Sequence, residues 1–261
     1  LEPHPNLLDL KNVWVMRGDK VVLRHFNLSV RAGEHLAVLG PNGCGKSTFI
    51  KTITRECYPM VREGSSMTIL GRHAWNVFEL RSQLGIVSND LMASCSGEAS
   101  GLDVVLSGFF SSTRIFPNHD VDPGRRASAR VALAQLGVPH LEDRAVEQMS
   151  SGEAKRVLIA RALVHQPLAL LFDEPGNSLD IAAHQALRET MRALARSGIG
   201  IVLVTHELAD IVPEIERVVL MSQGQITDDG PKEQVLQDAA LSRLFGVPVK
   251  LARSGGYYYV R

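Results

Sequence analysis

The segment Gly40-Pro41-Asn42-Gly43-Cys44-Gly45-Lys46-Ser47-Thr48 places glycines, a lysine and two hydroxyls in the order GxxxxGK[ST]. That order suits the binding of phosphate groups. Glycines let a backbone wrap closely, so that its N–H groups point at phosphate oxygens. A helix beginning at the lysine adds about half a positive charge at its N-terminus. Lys46 then reaches the β- and γ-phosphates of a nucleotide, and the Ser47 hydroxyl ligates Mg²⁺. Cys44 reads as a filler of this loop, because no resolving thiol is near it in sequence.

Downstream, the apolar run at residues 168–172 ends in two carboxylates, Asp173 and Glu174. Neighbouring residues on a strand point to opposite sides, so the two acids take different tasks. Asp173 holds Mg²⁺, directly or through water, and Glu174 polarises the attacking water as general base. A strand running out into a solvated acidic turn has the same look, and the phosphate loop upstream tips the balance toward chemistry. Between the two motifs, Ser150 and Glu153 form the S-x-x-E of a capping box for the helix that follows. A capped helix N-terminus that offers a serine hydroxyl and backbone amides is also a phosphate site, so both readings hold together.

The elements that must position these groups are legible from hydrophobic patterning. Residues 7–30 alternate as two strands about a turn at Gly18-Asp19. A buried strand over 35–39, the glycine loop and a helix over 46–55 then open an α/β nucleotide-binding unit. Between Asn89 and Met149 the patterning turns helical, most clearly over 125–136, and is broken by Pro117, Pro123 and Pro139. The α/β rhythm resumes with a helix over 152–164, a strand over 168–172, a helix over 181–196 and a strand over 199–204. A hairpin, RVVLMSQGQITDDG, and a short helical and extended tail complete the chain.

The order of these motifs resembles that of ATP-binding-cassette (ABC) ATPases over nearly the whole chain. Met149-Ser150-Ser151-Gly152-Glu153-Ala154-Lys155-Arg156 is similar to the family signature LSGGQxxR, Asn177-Ser178-Leu179-Asp180 to its D-loop, and Thr205-His206 to its switch histidine. The resemblance implies an α/β P-loop NTPase cassette with an N-terminal antiparallel β-subdomain. It implies one ABC ATPase domain over 1–261, with an inserted helical subdomain at about 90–150. It also implies that ATP is the nucleotide and Mg²⁺ the cofactor. Lys46, Glu174 and His206 take the catalytic roles, His206 contacting the γ-phosphate. Ser150, Ser151, Gly152 and Glu153 meet the nucleotide held by a second subunit, a copy of this chain, and Asp180 communicates across that dimer.

Some positions depart from the family. Asn89 stands where a glutamine usually contacts Mg²⁺ or the attacking water; it is one methylene shorter, and a bridging water is needed to restore the contact. Arg17 falls where an aromatic usually stacks on adenine, and a guanidinium plane can take that place. Trp14, of the opposite strand parity, is expected in the core. Ser151 replaces a signature glycine, Glu153 its glutamine, and Gly176 a threonine after Pro175.

Composition excludes several classes. Apolar residues at 45% supply a sizeable core, and Lys plus Arg at 28 balance Asp plus Glu at 28. No broad field draws the chain to nucleic acid. No apolar run reaches the roughly 20 residues of a membrane span, residues 1–9 carry no secretory pattern, and the three cysteines form no CxxC pair. The resemblance therefore implies a transporter ATPase that is cytoplasmic and peripheral on the inner face of the membrane. Its partners are an integral-membrane permease and, through it, an extracytoplasmic solute-binding protein. The tail stretches 230–236 and 244–249, and 103–110 in the insert, are similar to importers of iron–siderophore, haem, cobalamin or molybdate type. A soluble ABC ATPase of DNA repair, the ribosome or cofactor assembly is the rival reading.

Overall fold

The structure is a computed structural model that describes residues 6–95 and 97–261. The first elements are β1 (Asn6–Arg17), β2 (Lys20–Arg31), β3 (His35–Leu39), α1 (Lys46–Ile53) and β4 (Ser66–Ile69). Next come α2 (Val77–Gln83), β5 (Leu84–Ser88), α3 (Asn89–Ser94), α4 (Gly101–Ser107), α5 (Pro123–Gln135), α6 (Ser151–Leu163), β6 (Ala169–Asp173) and α7 (Ile181–Arg196). The last are β7 (Gly200–Thr205), β8 (Arg217–Ser222), β9 (Gln225–Pro231), α8 (Lys232–Val235), α9 (Asp238–Phe245), β10 (Leu251–Ser254) and β11 (Tyr257–Val260). Two compact units result: the chain up to Val77 together with Ala195–Arg261, and Phe78–Leu194. The secretory reading of residues 1–9 falls partly, and the helical reading of the insert at Ser96, outside the described residues.

In the first unit, β1 and β2 pair antiparallel about the expected turn at Gly18-Asp19, and β4 joins the other edge of β1. Alternation buries Val13 and Val15 on one face, and Phe26, Leu28 and Val30 of β2 are buried as well. Trp14, between the two valines, is not in that core. It is half-buried, with the Arg62 guanidinium 4.3 Å above its ring and its indole N–H donating to Asn12 Oδ1. The parity expected for the core is thus reversed: the period of two in β1 buries Val13 and Val15, which share Arg17's parity, and leaves Trp14 on the other face.

The same unit contains a parallel trio, β7-β3-β8, extended by the antiparallel hairpin strand β9. Leu36–Leu39 of β3, Ile201–Val204 of β7 and Val218–Met221 of β8 have no exposed surface. Such continuous apolar runs are what a strand covered on both faces requires, each side chain contributing about 1.5–3 kcal/mol. Gly40 and His206 follow β3 and β7, at the carboxyl ends of neighbouring parallel strands, where α/β sheets bind ligands.

In the second unit, β5 and β6 pair in parallel, bringing Ser88 opposite Asp173. Helices α4, α5 and α6 pack on one another. Pro123 starts α5 behind Asp122, whose carboxylate accepts from Arg125 N at 2.8 Å. The helical reading of the insert holds, although short 3₁₀ turns at Gly108–Phe110, Pro139–Leu141 and Val146–Gln148 interrupt it. Among the described residues no helix is long and apolar enough to cross a membrane.

Candidate functional site

The phosphate loop leaves β3 at Gly40, whose N–H donates to Thr205 O at 3.3 Å. Lys46 is buried, and its ammonium donates back to Gly40 O (2.7 Å) and Pro41 O (3.0 Å). The lysine therefore stands over the loop that it is expected to serve. Gly45 caps α1 at φ 113°, a conformation open to glycine, and a Cβ there would lie 2.8 Å from Met221 Cε. No side chain caps this helix, and its first turn contains no acid. Its leading N–H groups and the positive end of its dipole are thus suited to an anion.

Around this centre, Asn42 and Gly43 are exposed, Pro41 and Ser47 half-buried, and Gly40, Cys44, Gly45 and Thr48 buried. Cys44 is 6% exposed and forms no disulfide, in keeping with a space-filling role. Its carbonyl accepts from Gly224 N at 2.8 Å, while Gly224 O accepts from Arg24 N at 2.9 Å. The β8–β9 turn is thereby tied to the phosphate loop on one side and to β2 on the other. His206 follows β7, its Nε2 3.5 Å from Glu207 Oε1. The buried Asp210 carboxylate accepts from Thr205 Oγ1 (2.8 Å), which in turn accepts from Glu207 N (2.9 Å), fixing the backbone on either side of the histidine. Arg17 is exposed at the β1–β2 turn, opposite Lys20.

In the second unit, Asp173 ends β6 and Glu174 turns the chain at φ 49°, a left-handed conformation unusual for a residue with a side chain. The Glu174 carboxylate accepts from Asn177 Nδ2 at 2.8 Å, and its carbonyl from Asn89 Nδ2 at 3.2 Å. The other end of the Asn89 amide, Oδ1, accepts from Lys155 Nζ at 2.8 Å. Lys155 is 4% exposed, and burial pushes its ammonium down to about 8.

The capping box is present in full. Ser150 Oγ accepts from Glu153 N, and Glu153 Oε2 accepts from both Ser150 N (2.8 Å) and Ser150 Oγ (2.9 Å). These bonds hold the Glu153 carboxyl below the usual carboxylate range. Asp180 caps α7 by accepting from Ala183 N at 2.7 Å. Ser150, Gly152, Glu153 and Asp180 line one hollow of about 260 Å³, while Ser151 is exposed beside it.

Sequence reading missed Lys155, Asn177, Asp210 and Gly224. Only Lys155 left a local trace: a charge among the apolar residues Ala154, Val157, Leu158 and Ile159 of one helix. As for the metal, Ser47 presents a hydroxyl and Asp173 a carboxylate, hard oxygen donors that fit Mg²⁺.

A family model described as "ABC transporter" matches residues 23–177. The chain is 30% identical to the ABC transporter ATP-binding protein YlmA of Bacillus subtilis over 93% of its own length and 92% of that protein. It is 33% identical to the hemin import ATP-binding protein HmuV of Thermobifida fusca (90% and 80%). With the molybdenum import ATP-binding protein ModC of Mycobacterium tuberculosis it shares 37% identity, over 80% of this chain and 56% of that one. Among solved structures, an inward-facing metal-chelate type ABC transporter superposes with a TM-score of 0.78 at 23% identity, over 98% of this chain and 96% of that chain. CbiO1 of Clostridium perfringens, part of the cbiONQ transporter complex, gives 0.76 at 26% identity (92% and 94%). The α/β cassette fold and the expected ATPase are borne out, and the chain belongs to the ABC transporter family as an ATP-binding ATPase.

Proposed function

We propose that this chain is the ATP-hydrolysing subunit of an importer, that two copies close head-to-tail around two ATP molecules, and that they drive a separate permease for a metal chelate. The observation that carries the transport reading is the 33% identity to a hemin import ATP-binding protein over 90% of the chain. The molybdenum importer and the metal-chelate transporter fold point the same way. The chain then acts as one ABC ATPase domain on the inner face of a membrane, with a solute-binding protein as a partner through the permease.

In this reading the α1 N-terminus and Lys46 hold the β- and γ-phosphates, and Ser47 and Asp173 hold Mg²⁺. The metal supplies charge neutralisation on the phosphate oxygens. Glu174 accepts a proton from water as the water oxygen bonds to the γ-phosphorus. The bond from that phosphorus to the β-phosphate oxygen breaks, giving ADP and inorganic phosphate. His206 contacts the γ-phosphate, Arg17 stacks on adenine, and Ser150 and Gly152 of the second copy close the site.

Two measurements test this. Glu174→Gln binds ATP but releases phosphate about 100-fold more slowly or worse; undiminished release removes the general-base assignment. Affinity purification from the native membrane fraction recovers a polytopic partner. A protein recovered with ribosomes or nucleic acid instead overturns transport and leaves the ATPase untouched.

A further inference from the structure

Asn89 occupies the place at which the family's glutamine contacts Mg²⁺ or water, yet both ends of its amide are taken up inside the second unit. An ammonium can only donate, so Lys155 requires the oxygen end of the amide. That choice turns the Nδ2 end toward Glu174 O, where it donates at 3.2 Å. The peptide it grips is the one at φ 49°, and a left-handed residue other than glycine persists only where its surroundings hold it. Asn177 grips the same glutamate at the carboxylate. Glu174 is thus held at its carbonyl and at its carboxylate by two asparagines, one of them fixed in polarity by a lysine.

Lys155 has a plain structural cost. Its buried ammonium is disfavoured by desolvation, and no acid among the described residues offsets it. An apolar side chain of the same length would pack on the same face of α6 without that cost. The lysine therefore contributes something other than stability, and the bond it makes leads to the catalytic glutamate.

We propose that Lys155 and Asn89 form a strut that positions Glu174, with Lys155 acting as a positioning residue carried on the signature helix and Asn89 serving as a link, not as a metal ligand. Contact of Asn89 Oδ1 with Mg²⁺ would use its second lone pair and bring the metal against the charge of Lys155, whose ammonium lies 2.8 Å from that oxygen. The strut gives the helix that begins at Ser150 a direct connection to the general base. The proposal rests on Glu174 being that base.

The test compares Lys155→Met, Asn89→Leu, their double variant and Glu174→Gln in the full chain, with ATP hydrolysis, ATP binding and Mg²⁺ titration as readouts. Lys155→Met and Asn89→Leu each lower kcat about tenfold, because a slightly misplaced base loses rate, and leave KM within about twofold. The double variant is no slower than the slower single one, as expected for two parts of one unit. The Mg²⁺ concentration for half-maximal rate stays unchanged throughout. Full kcat in Lys155→Met, losses that multiply in the double variant, or a raised Mg²⁺ requirement in Asn89→Leu each overturn the strut. Asn89 is exposed, so its variant folds whatever happens at the buried lysine. Glu174→Gln separates the two layers: if it is inactive while Lys155→Met is fully active, the strut alone fails; if it is fully active, the base assignment fails first.

Discussion

The phosphate loop of the first unit and the Glu174 corner of the second are both built at the end of a parallel strand, but they are held by different means. Around Gly45 the loop is held by backbone: Lys46 bonds two carbonyls, Cys44 O meets Gly224 N, and α1 begins without a capping side chain. Around Glu174 the work is done by side chains, with Asn177, Asn89 and Lys155 in a chain of hydrogen bonds. A backbone cradle tolerates any residue that keeps the conformation, and fails when a Cβ intrudes. A side-chain clamp fails when one functional group is removed, while the fold stands. The two regions are therefore broken by opposite kinds of mutation.

The largest expected effect is steric and belongs to the loop. Gly224 sits at φ 79°, and a Cβ on it would lie 1.9 Å from Val22 O and 2.9 Å from Val22 C. Backbone cannot yield as a flexible side chain does, so Gly224→Ala must move the turn away from β2 and from Cys44 O. We expect a stability loss of about 3 kcal/mol from overpacking and the left-handed φ together. ATP affinity falls as well, although Gly224 lies far along the chain from the motif. Unchanged affinity in a folded Gly224→Ala protein would show that the turn does not brace the loop.

A smaller effect, on rate alone, belongs to the clamp. Asn177→Ala removes one hydrogen bond to the Glu174 carboxylate at a half-buried position, where water can take the place of the lost donor. If the bond orients Glu174 for catalysis, kcat drops about tenfold with little change in KM or in melting temperature. A variant that loses ATP affinity in place of rate would move Asn177 from the base to the nucleotide and blur the contrast between the two regions.

This contrast also sets what the sequence could disclose. The strand expected over 35–39 and the helix over 181–196 form with those bounds, because buried apolar runs and their flanking breaks are local signals. Other ends shift by one or two residues: the strand expected over 168–172 forms over Ala169–Asp173, the helix over 152–164 over Ser151–Leu163, and the helix over 46–55 over Lys46–Ile53. Capping explains the second shift, since Ser150 is the cap and the helix starts directly after it. The phosphate loop was legible because its groups follow one another along the chain. The clamp was not, because Lys155 meets Asn89 across 66 residues and Asn89 meets Glu174 across 85. Trp14 misled for another reason: its strand parity, opposite to that of Arg17, suggested the core, whereas Val13 and Val15, which share Arg17's parity, are the buried residues and Arg62 lies over the indole.

The smallest effect tests the cost assigned to Lys155. Its folded-state pKa, about 8, lies below the 10.5 of an ordinary lysine, so between these limits the unfolded chain binds the extra proton. Stability therefore rises with pH across that window: the penalty of burying the charge is complete below pH 8 and fades toward pH 10.5. Lys155→Met carries no such charge. It should melt higher than the wild type at pH 7, and the gap should narrow by roughly 1 kcal/mol on going to pH 9, or about 2 °C in melting temperature. Other titrating groups are common to both proteins and cancel in the difference. A gap that stays constant with pH would mean that Lys155 keeps an ordinary ammonium in the folded chain, with water or an unrecognised anion paying for its burial. A gap that closes, in a variant that is also slower in kcat, would show one side chain trading stability for the placement of the base. The phosphate loop holds its lysine on the backbone carbonyls of Gly40 and Pro41, whereas Lys155 is held by a side-chain amide.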